Sequence, residues 1–140
     1  MRLINIKLIL TLMSIFILYQ CDTGIRKRND PSKASSFENF DEFYNKFHSD
    51  SIFQISRIKF PLAGKRVDGF KEIKWTKKRW SMMKTMIYDI DTTVFRTEYK
   101  KSSKEFEQKI WLENSGFSTE YRFKLINDKW YLVYALDINL

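Results

Sequence analysis

The chain has 140 residues, which is enough for one domain with short extensions. Aromatic residues make up 16% of it, so it can fill a core without disulfide bonds, and its single cysteine excludes an internal disulfide framework. Its net charge of +8 indicates an anionic partner such as nucleic acid, an acidic polymer or a membrane surface.

The first 20 residues have the pattern of an export signal. A basic start precedes an apolar run at 8–18, which matches a signal-peptide core and is shorter than the roughly 20 residues of a membrane span. The motif at 18–21 resembles a bacterial lipobox, although Gln20 stands where a small residue is usual. We therefore expect residues 1–20 to be removed and Cys21 to be lipidated. An ordinary signal peptide or an uncleaved anchor is the alternative.

A tether is predicted between the lipid and the folded domain. Residues 21–35 are polar, lack an apolar period and contain Gly24 and Pro31, so we expect a flexible spacer before a domain at 36–140. These features predict a lipoprotein in the cell envelope of a Gram-negative bacterium, held on the periplasmic side or the outer surface by its acyl chains. An exported protein rarely meets nucleic acid, so we expect no nucleic-acid partner.

Two helices are predicted at the start of the domain. Ser35 and Glu38 have the spacing of a capping box, which predicts a helix over 36–48. Its aromatic residues recur every three or four positions and predict one core stripe: Phe37, Phe40, Phe43, Tyr44 and Phe47. A second, short helix is predicted over 51–56.

The middle of the domain predicts two strands and a third helix. The segments before that helix are a strand at 57–62, a turn at 63–68 and a strand at 69–75. Pro61 has no backbone N–H, so the first strand or its end is expected at a sheet edge. The third helix is predicted over 76–88, with Trp80, Met83 and Ile87 on its buried side.

The C-terminal hairpin, residues 117–139, has the clearest alternation in the sequence. Asn127 and Asp128 predict a two-residue turn. Folding there sets four pairs opposite one another on the core face: Leu125 with Trp130, Phe123 with Leu132, Tyr121 with Tyr134 and Phe117 with Ile138. Two more strands, at 92–99 and 105–112, precede the hairpin and complete four antiparallel strands.

A four-residue loop at 113–116 sets the register of the strand before the hairpin. The core face then pairs Leu112 with Phe117, Ile110 with Thr119 and Phe106 with Phe123. The other face pairs opposite charges: Lys109 with Glu120, Glu107 with Arg122 and Glu105 with Lys124. A slip of one residue would destroy both patterns. A three-residue loop with a bulge at Gly116 is the competing geometry.

Helices early and strands late predict an α+β fold, with N-terminal helices packed on a curved, mostly antiparallel sheet. Three stretches carry a resemblance: FENFDEFYNKFHSDSIFQISRIKFPL at 37–62, Lys74-Trp75, and EYRFKLINDKWYLVYALD at 120–137. On these residues the domain resembles the nuclear-transport-factor-2-like superfamily, also called the SnoaL-like or cystatin-like cone. More narrowly, it resembles a lipoprotein family of unknown function from Bacteroidota. The resemblance spans about 37–140 and implies a cone fold and an envelope location, but no activity.

Common catalytic and metal-binding motifs are missing from the sequence. It has no Gly-rich phosphate loop, no nucleophile motif and no ligand set with metal-site spacing. We therefore predict no catalytic residue, no cofactor and no metal. The alternative is isomerase- or dehydratase-like acid–base chemistry in an apolar cone, for which His48, Asp89, Asp91 and Asp137 are the candidates. The hairpin register places Asp137 opposite Ser118, on the face away from the core.

A small-ligand pocket at the open end of the cone is the favoured site. Its candidate residues are Tyr121, Tyr134, Gln54, Arg57 and His48, each of which could instead be structural. The partner would be a small ligand or an envelope protein, and a homodimer through the outer face of the sheet is compatible with the sequence. Residues 71–84 are basic with interleaved Trp, so they would bind an anionic surface polymer or lipid unless they form a solvated face.

Overall fold

The computed structural model describes residues 37–140. The elements are α1 Phe40–Ser49, α2 Ser51–Ser56, β1 Ile58–Asp68, β2 Lys71–Ile73, β3 Arg96–Lys101, β4 Glu105–Trp111, β5 Phe117–Ile126 and β6 Lys129–Asn139. The strands form one sheet in the order β2-β1-β6-β5-β4-β3, in which only β1 and β6 pair in parallel. The predicted α+β architecture is therefore confirmed. The predicted export signal, the predicted lipidation of Cys21 and the predicted tether lie outside the described residues.

Helix α1 begins later than the capping box predicts. Its N-cap is Asn39, whose side-chain oxygen accepts two backbone N–H groups of the first turn at 2.9 and 3.1 Å. Glu38 therefore lies before the helix, where it forms an ion pair with Arg57. Phe37 also precedes the helix and is 51% exposed, so its assignment to the core stripe is wrong. The other four aromatic residues of the stripe are buried, as predicted.

The core lies between α1 and the concave face of the sheet. Its sheet residues are Ile58, Leu62, Phe106, Ile110, Phe123, Trp130, Leu132 and Ala135. The ring of Phe40 packs against Phe106 and Trp130, with centroid separations of 4.6 and 4.8 Å. Aromatic pairs attract at such separations in tilted and edge-on arrangements. The predicted core face of the hairpin is thus confirmed in the part nearest the turn.

The register between β4 and β5 matches its prediction throughout. Phe106 lies opposite Phe123, Ile110 opposite Thr119, and the three predicted charge pairs face each other on the outer side. The backbone N–H of Leu112 donates to the Phe117 carbonyl at 3.2 Å and closes the four-residue loop. Two independent patterns, apolar and charged, specified this register, and the fold satisfies both.

The C-terminal hairpin turns at the predicted residues. Asn127 and Asp128 have φ of 47° and 63°, which is the left-handed conformation of a type I′ turn. The first two predicted core pairs follow: Leu125 lies opposite Trp130 and Phe123 opposite Leu132. The turn chemistry therefore fixes the start of the register.

A β-bulge at Val133 shifts the rest of this register. Phe123 pairs with Leu132, whereas Arg122, the preceding residue of β5, pairs with Tyr134. Val133 therefore has no partner in β5. One extra residue reverses the facing of every later side chain in the strand. The predicted pairings beyond this point are wrong: Tyr121 lies opposite Ala135, Thr119 opposite Asp137 and Phe117 opposite Asn139.

Strand β1 extends through the predicted turn at 63–68. Gly64 has φ of 91°, and a Cβ placed on it would lie 2.0 Å from the Ala135 carbonyl oxygen. This glycine therefore permits close approach of β1 to β6 and does not end the strand. Strand β2 pairs with residues 66–68 only. Within the described chain, Pro61 thus lies in a stretch of β1 with no neighbour on that side, as predicted.

The third predicted helix does not form. Residues 76–90, named here the covering segment, contain only two short 3-10 turns, Lys77–Arg79 and Ile87–Asp89. Side chains from the helices occupy its backbone groups. Gln54 binds both the N–H and the carbonyl of Met83, at 2.9 and 2.8 Å, and the Tyr44 hydroxyl accepts the Ile87 N–H at 3.2 Å. These backbone groups cannot also make helical hydrogen bonds.

Candidate functional site

A half-open cavity of about 230 Å³ lies between the covering segment and the concave face of the sheet. Its wall includes the apolar Phe95, Ile110 and Phe117 and the polar Gln108, Thr119 and Tyr121. Sites for drug-sized ligands enclose about 300–1,000 Å³. This cavity therefore suits a smaller molecule with a largely apolar body.

Two polar atoms of the cavity wall are buried without a protein partner. Gln108 accepts the Tyr44 hydroxyl through Oε1, which leaves its Nε2 unpaired. Thr119 Oγ1 also has no partner with full hydrogen-bond geometry, although it lies near the Tyr121 hydroxyl, and Gln108 and Thr119 are only 2% and 8% exposed. Buried polar atoms in folded proteins are nearly always hydrogen-bonded. The wall thus presents one unmet N–H donor and one unmet hydroxyl among apolar side chains.

The Tyr121 hydroxyl remains protonated at neutral pH. Burial raises the pKa of Tyr121 and the nearby carboxylate of Asp137 raises it further, while the neighbouring Thr119 hydroxyl and Arg66 oppose the shift. Burial also raises the pKa of Asp137, while Arg66, at 3.8 Å, opposes the shift and Asp68 adds to it. Because of the bulge, Asp137 lies opposite Thr119 and not Ser118, so its predicted facing is wrong. It lies beside Tyr121 and is not part of the cavity wall.

Gln54 is a structural clamp and does not line the cavity. It is 1% exposed and uses both ends of its amide. Nε2 donates to the carbonyls of Phe47 and Met83 at 2.6 and 2.8 Å, while Oε1 accepts Trp80 Nε1 and the Met83 N–H, both at 2.9 Å. These four hydrogen bonds join both helices to the covering segment.

Arg57 also has a structural position. It donates to both carboxylate oxygens of Glu38, at 3.0 and 2.8 Å, and to the Trp130 carbonyl at 3.3 Å. Glu38 in turn accepts the Trp130 N–H at 2.7 Å. This network ties the start of α1 to the hairpin.

Tyr134 lies on the outer face, where the Arg122 guanidinium stands 5.1 Å from its ring.

His48 is buried at the end of α1, away from the cavity wall. Its Nδ1 lies 2.8 Å from the Tyr44 carbonyl, and its Nε2 has no partner among the described atoms. Burial lowers the pKa of His48, so the ring is neutral at pH 7 and Nδ1 donates to that carbonyl. Asp89 and Asp91 are exposed turn residues.

The described residues form neither a metal-ligand cluster nor a membrane-spanning helix. Among residues 37–140, no three His, Cys, Asp or Glu side chains come together as metal ligands. In the same range no helix has the length and apolar character needed to cross a membrane.

Gln108 and Thr119 were not predicted as site residues, although the sequence contains a signal for them. In β4 the core-facing positions are Phe106, Gln108 and Ile110, so an amide interrupts an apolar row. Thr119 likewise stands between Phe117 and Tyr121 in β5. A polar side chain on a face that alternation assigns to the core marks such a site.

Comparison with known proteins identifies the fold and the family. One protein-family model matches residues 38–139. The crystal structure of an NTF2-like protein from Bacteroides fragilis NCTC 9343 is similar, with a TM-score of 0.52 and 21% identity over 74% of this chain and 48% of that one. The chain belongs to the NTF2-like family. An NMR structure of a protein from Bacteroides uniformis ATCC 8492 has a TM-score of 0.50 and 23% identity, over 74% of this chain and 77% of that one.

The predicted resemblance to nuclear-transport-factor-2-like proteins of Bacteroidota is therefore confirmed. This NTF2-like chain spans about half the length of the B. fragilis protein. No curated protein matches it.

Proposed function

We propose that this NTF2-like domain is a non-catalytic binding module that holds a small ligand in the cavity. The observation that supports this function is the pair of buried polar atoms without a hydrogen-bond partner, Gln108 Nε2 and Thr119 Oγ1, in a wall that also contains Lys84, Thr85 and Tyr121 beside five apolar side chains. Leaving a buried polar group unpaired costs about 1–3 kcal/mol. A ligand that supplies the missing partners recovers this free energy on binding.

The polar atoms restrict the chemistry of the ligand. The Gln108 amide nitrogen can only donate, so it requires an acceptor such as a carbonyl or ether oxygen. The protonated hydroxyl of Tyr121 is a second donor in the wall, and Thr119 can donate or accept. We therefore expect a small, mainly apolar molecule with one or two oxygen acceptors.

The wall offers little for acid–base catalysis. Tyr121 retains its proton because its pKa is raised, and Asp137 lies outside the wall. The isomerase- or dehydratase-like alternative would require the Asp137 carboxylate to reach the ligand. A hydrogen-bonding and packing role fits the described side chains better.

The binding function can be tested with native mass spectrometry and ligand-induced shifts in melting temperature. Wild-type protein should retain a small molecule, or gain melting temperature from small ketones and esters, and Thr119→Val should lose this response. Ser118→Ala, one position away on the outer face, is the matched control and should behave as wild type. Equal ligand responses in wild type and Thr119→Val would contradict the proposal. The same spectra report whether the domain is a homodimer.

We further propose, from the sequence of residues 1–35, that the protein is a lipoprotein of the Gram-negative cell envelope. The only cysteine stands at the lipobox position, and a polar tether follows it. Labelled palmitate should enter the wild-type protein in cells and should not enter a Cys21→Ala variant. Labelling of both would contradict lipidation at this residue.

An envelope protein as partner is the alternative to a small ligand.

A further inference from the structure

The positive charge of the domain is concentrated in one short segment. Residues 37–140 contain 19 Lys or Arg and 15 Asp or Glu, for a net charge of +4. Residues 71–84, the basic segment, contain six Lys or Arg and one Glu, for a net charge of +5. The remainder of the described domain therefore has a net charge of −1.

The cations of the basic segment are exposed and not neutralised by the domain itself. They are Lys71, Lys74, Lys77, Lys78, Arg79 and Lys84. None of the six forms an ion pair within the described chain, whereas eight of the other thirteen cations do. These charges thus remain available to an external anion.

Two tryptophan side chains, Trp75 and Trp80, anchor the basic segment to the core. Trp75 is buried, and its indole N–H donates to the Ala135 carbonyl at 2.8 Å. Trp80 packs against Trp75, with ring centroids 5.2 Å apart, and its own indole N–H donates to Gln54. Two tryptophans therefore fix the segment to the core while its cations face solvent. Such an arrangement reduces the ordering entropy lost on binding.

Large apolar side chains lie next to these cations. Ile52 is 83% exposed and lines a shallow groove together with Ile55 and Lys77. Phe70, which directly precedes Lys71, is fully exposed in the turn between β1 and β2. A soluble anionic polymer would satisfy only the charges, whereas a bilayer offers phosphates to the cations and an apolar layer to these side chains.

We propose that the basic segment, together with Ile52 and Phe70, binds the surface of a membrane that contains anionic phospholipid. Each cation close to an anionic bilayer strengthens binding several-fold, so loss of three should weaken it by about 100-fold. The interaction involves only described residues and does not depend on any lipid on Cys21. Of its six cations only Lys84 also lines the cavity.

The charge contribution is tested by co-sedimentation of the full chain with phosphatidylcholine vesicles, either pure or with about one quarter phosphatidylglycerol. Wild type should prefer the anionic vesicles. The triple variant Lys77→Gln/Lys78→Gln/Arg79→Gln should lose most of this preference. The control Lys104→Gln/Lys109→Gln/Lys129→Gln removes equal charge from exposed positions elsewhere and should keep it. The same preference in both triple variants would overturn the proposal.

The location and the apolar contribution need two further measurements. Amide hydrogen exchange in residues 71–84 should slow with anionic vesicles and not with pure phosphatidylcholine. Ile52→Ser should weaken vesicle binding at high salt, where charge attraction is screened. If Ile52→Ser has no effect and dextran sulfate binds as tightly as the vesicles, the segment recognises anionic polymers, and the membrane proposal is wrong.

Discussion

His48 links the stability of the domain to pH through a single buried ring. Burial lowers its pKa below the ordinary value of 6.5, so the unfolded chain takes up a proton before the folded chain as pH falls. The stabilisation is therefore complete above pH 6.5 and is lost as pH falls through the folded pKa. We expect the free energy of unfolding, measured in denaturant, to decrease as pH falls below about 7.

The variant His48→Asn tests this assignment. Asparagine can still donate to the Tyr44 carbonyl but does not titrate, so the decrease towards acid pH should become smaller. Asp137 has the opposite sign: its pKa is raised above 3.8, so its ionisation weakens the fold as pH rises through that range. Measurements in an Asp137→Asn background separate the two groups. An unchanged pH profile in His48→Asn would remove His48 as the cause.

Thr119 has a hydroxyl that works against the stability of the ligand-free domain. It is buried without a partner, so Thr119→Val should leave the free energy of unfolding unchanged or raise it by about 1 kcal/mol. Thermal and denaturant unfolding of ligand-free protein measure this. A loss of more than about 1 kcal/mol would show that the hydroxyl supports the fold, which would weaken the case for a ligand site.

At the scale of an element, β1 depends on one glycine. Gly64→Ala would place a methyl group against the backbone oxygen of Ala135, and this oxygen cannot move without separating β1 from β6. Left-handed strain and overpacking together should cost about 2–5 kcal/mol. Gly69→Ala is the matched control, because Gly69 also has a positive φ of 57° but open space around it, and it should cost only the strain of about 1–2 kcal/mol. Equal losses would show that β1 does not need this close approach.

The covering segment depends on Gln54 more than on its own residues. Gln54→Leu leaves the Met83 N–H and the Trp80 indole N–H without acceptors, and each unpaired group costs about 1–3 kcal/mol. Amide exchange at Met83 should therefore accelerate strongly, with a smaller effect in the central sheet. Ser56→Ala, in the same helix but exposed, should leave exchange at Met83 unchanged. Slow exchange at Met83 in Gln54→Leu would show that the clamp is not needed.

The elements that the sequence predicted well are those that local patterns specify twice. Apolar and charged residues both required the observed register of β4 and β5, and turn chemistry fixed the start of the hairpin. The third helix failed for a different reason. Its apolar spacing suited a helix, but Gln54 and Tyr44 bind its backbone from 29 and 43 positions away. A local stretch of sequence cannot reveal that these distant side chains compete with helical hydrogen bonds.

At the scale of the molecule, residues Ser35–Leu140 form a compact unit by themselves. The buried apolar cluster lies entirely between Phe40 and Ala135. A chain of residues 35–140 should therefore unfold in one cooperative transition, with a free energy of about 5–15 kcal/mol. Coincident far-UV and near-UV circular dichroism melts would show this, and separate transitions would contradict it.

The fold class was predictable because the order of elements and one apolar face per element determine it. The candidate site was only partly predictable. Tyr121 lies in the cavity wall, as predicted. Tyr134 lies on the outer face of the sheet and Asp137 on the inner face, which is the reverse of the prediction. The prediction assumed continuous alternation, because no turn residue in the sequence marks the bulge.

Gln54 and Arg57 were predicted as pocket residues that could instead be structural, and the structural alternative is the one observed. Gln54 binds backbone groups and the Trp80 indole, and Arg57 binds the Glu38 carboxylate and the Trp130 carbonyl.

The bulge in β6 determines which side chains of that strand lie opposite Tyr121 and Thr119. Deletion of Val133 would remove the bulge but leave Tyr134 opposite Arg122 and Ala135 opposite Tyr121. Closure of the bulge with Val133 retained would instead pair Arg122 with Val133, bring Tyr134 opposite Tyr121 in place of Ala135, and turn Asp137 towards solvent. The bulge alone thus determines whether the neighbour of Tyr121 is small or aromatic, with no amino acid substituted. Among relatives of this fold, gain or loss of a bulge in the last strand would therefore change which side chains of that strand face the cavity side of the sheet.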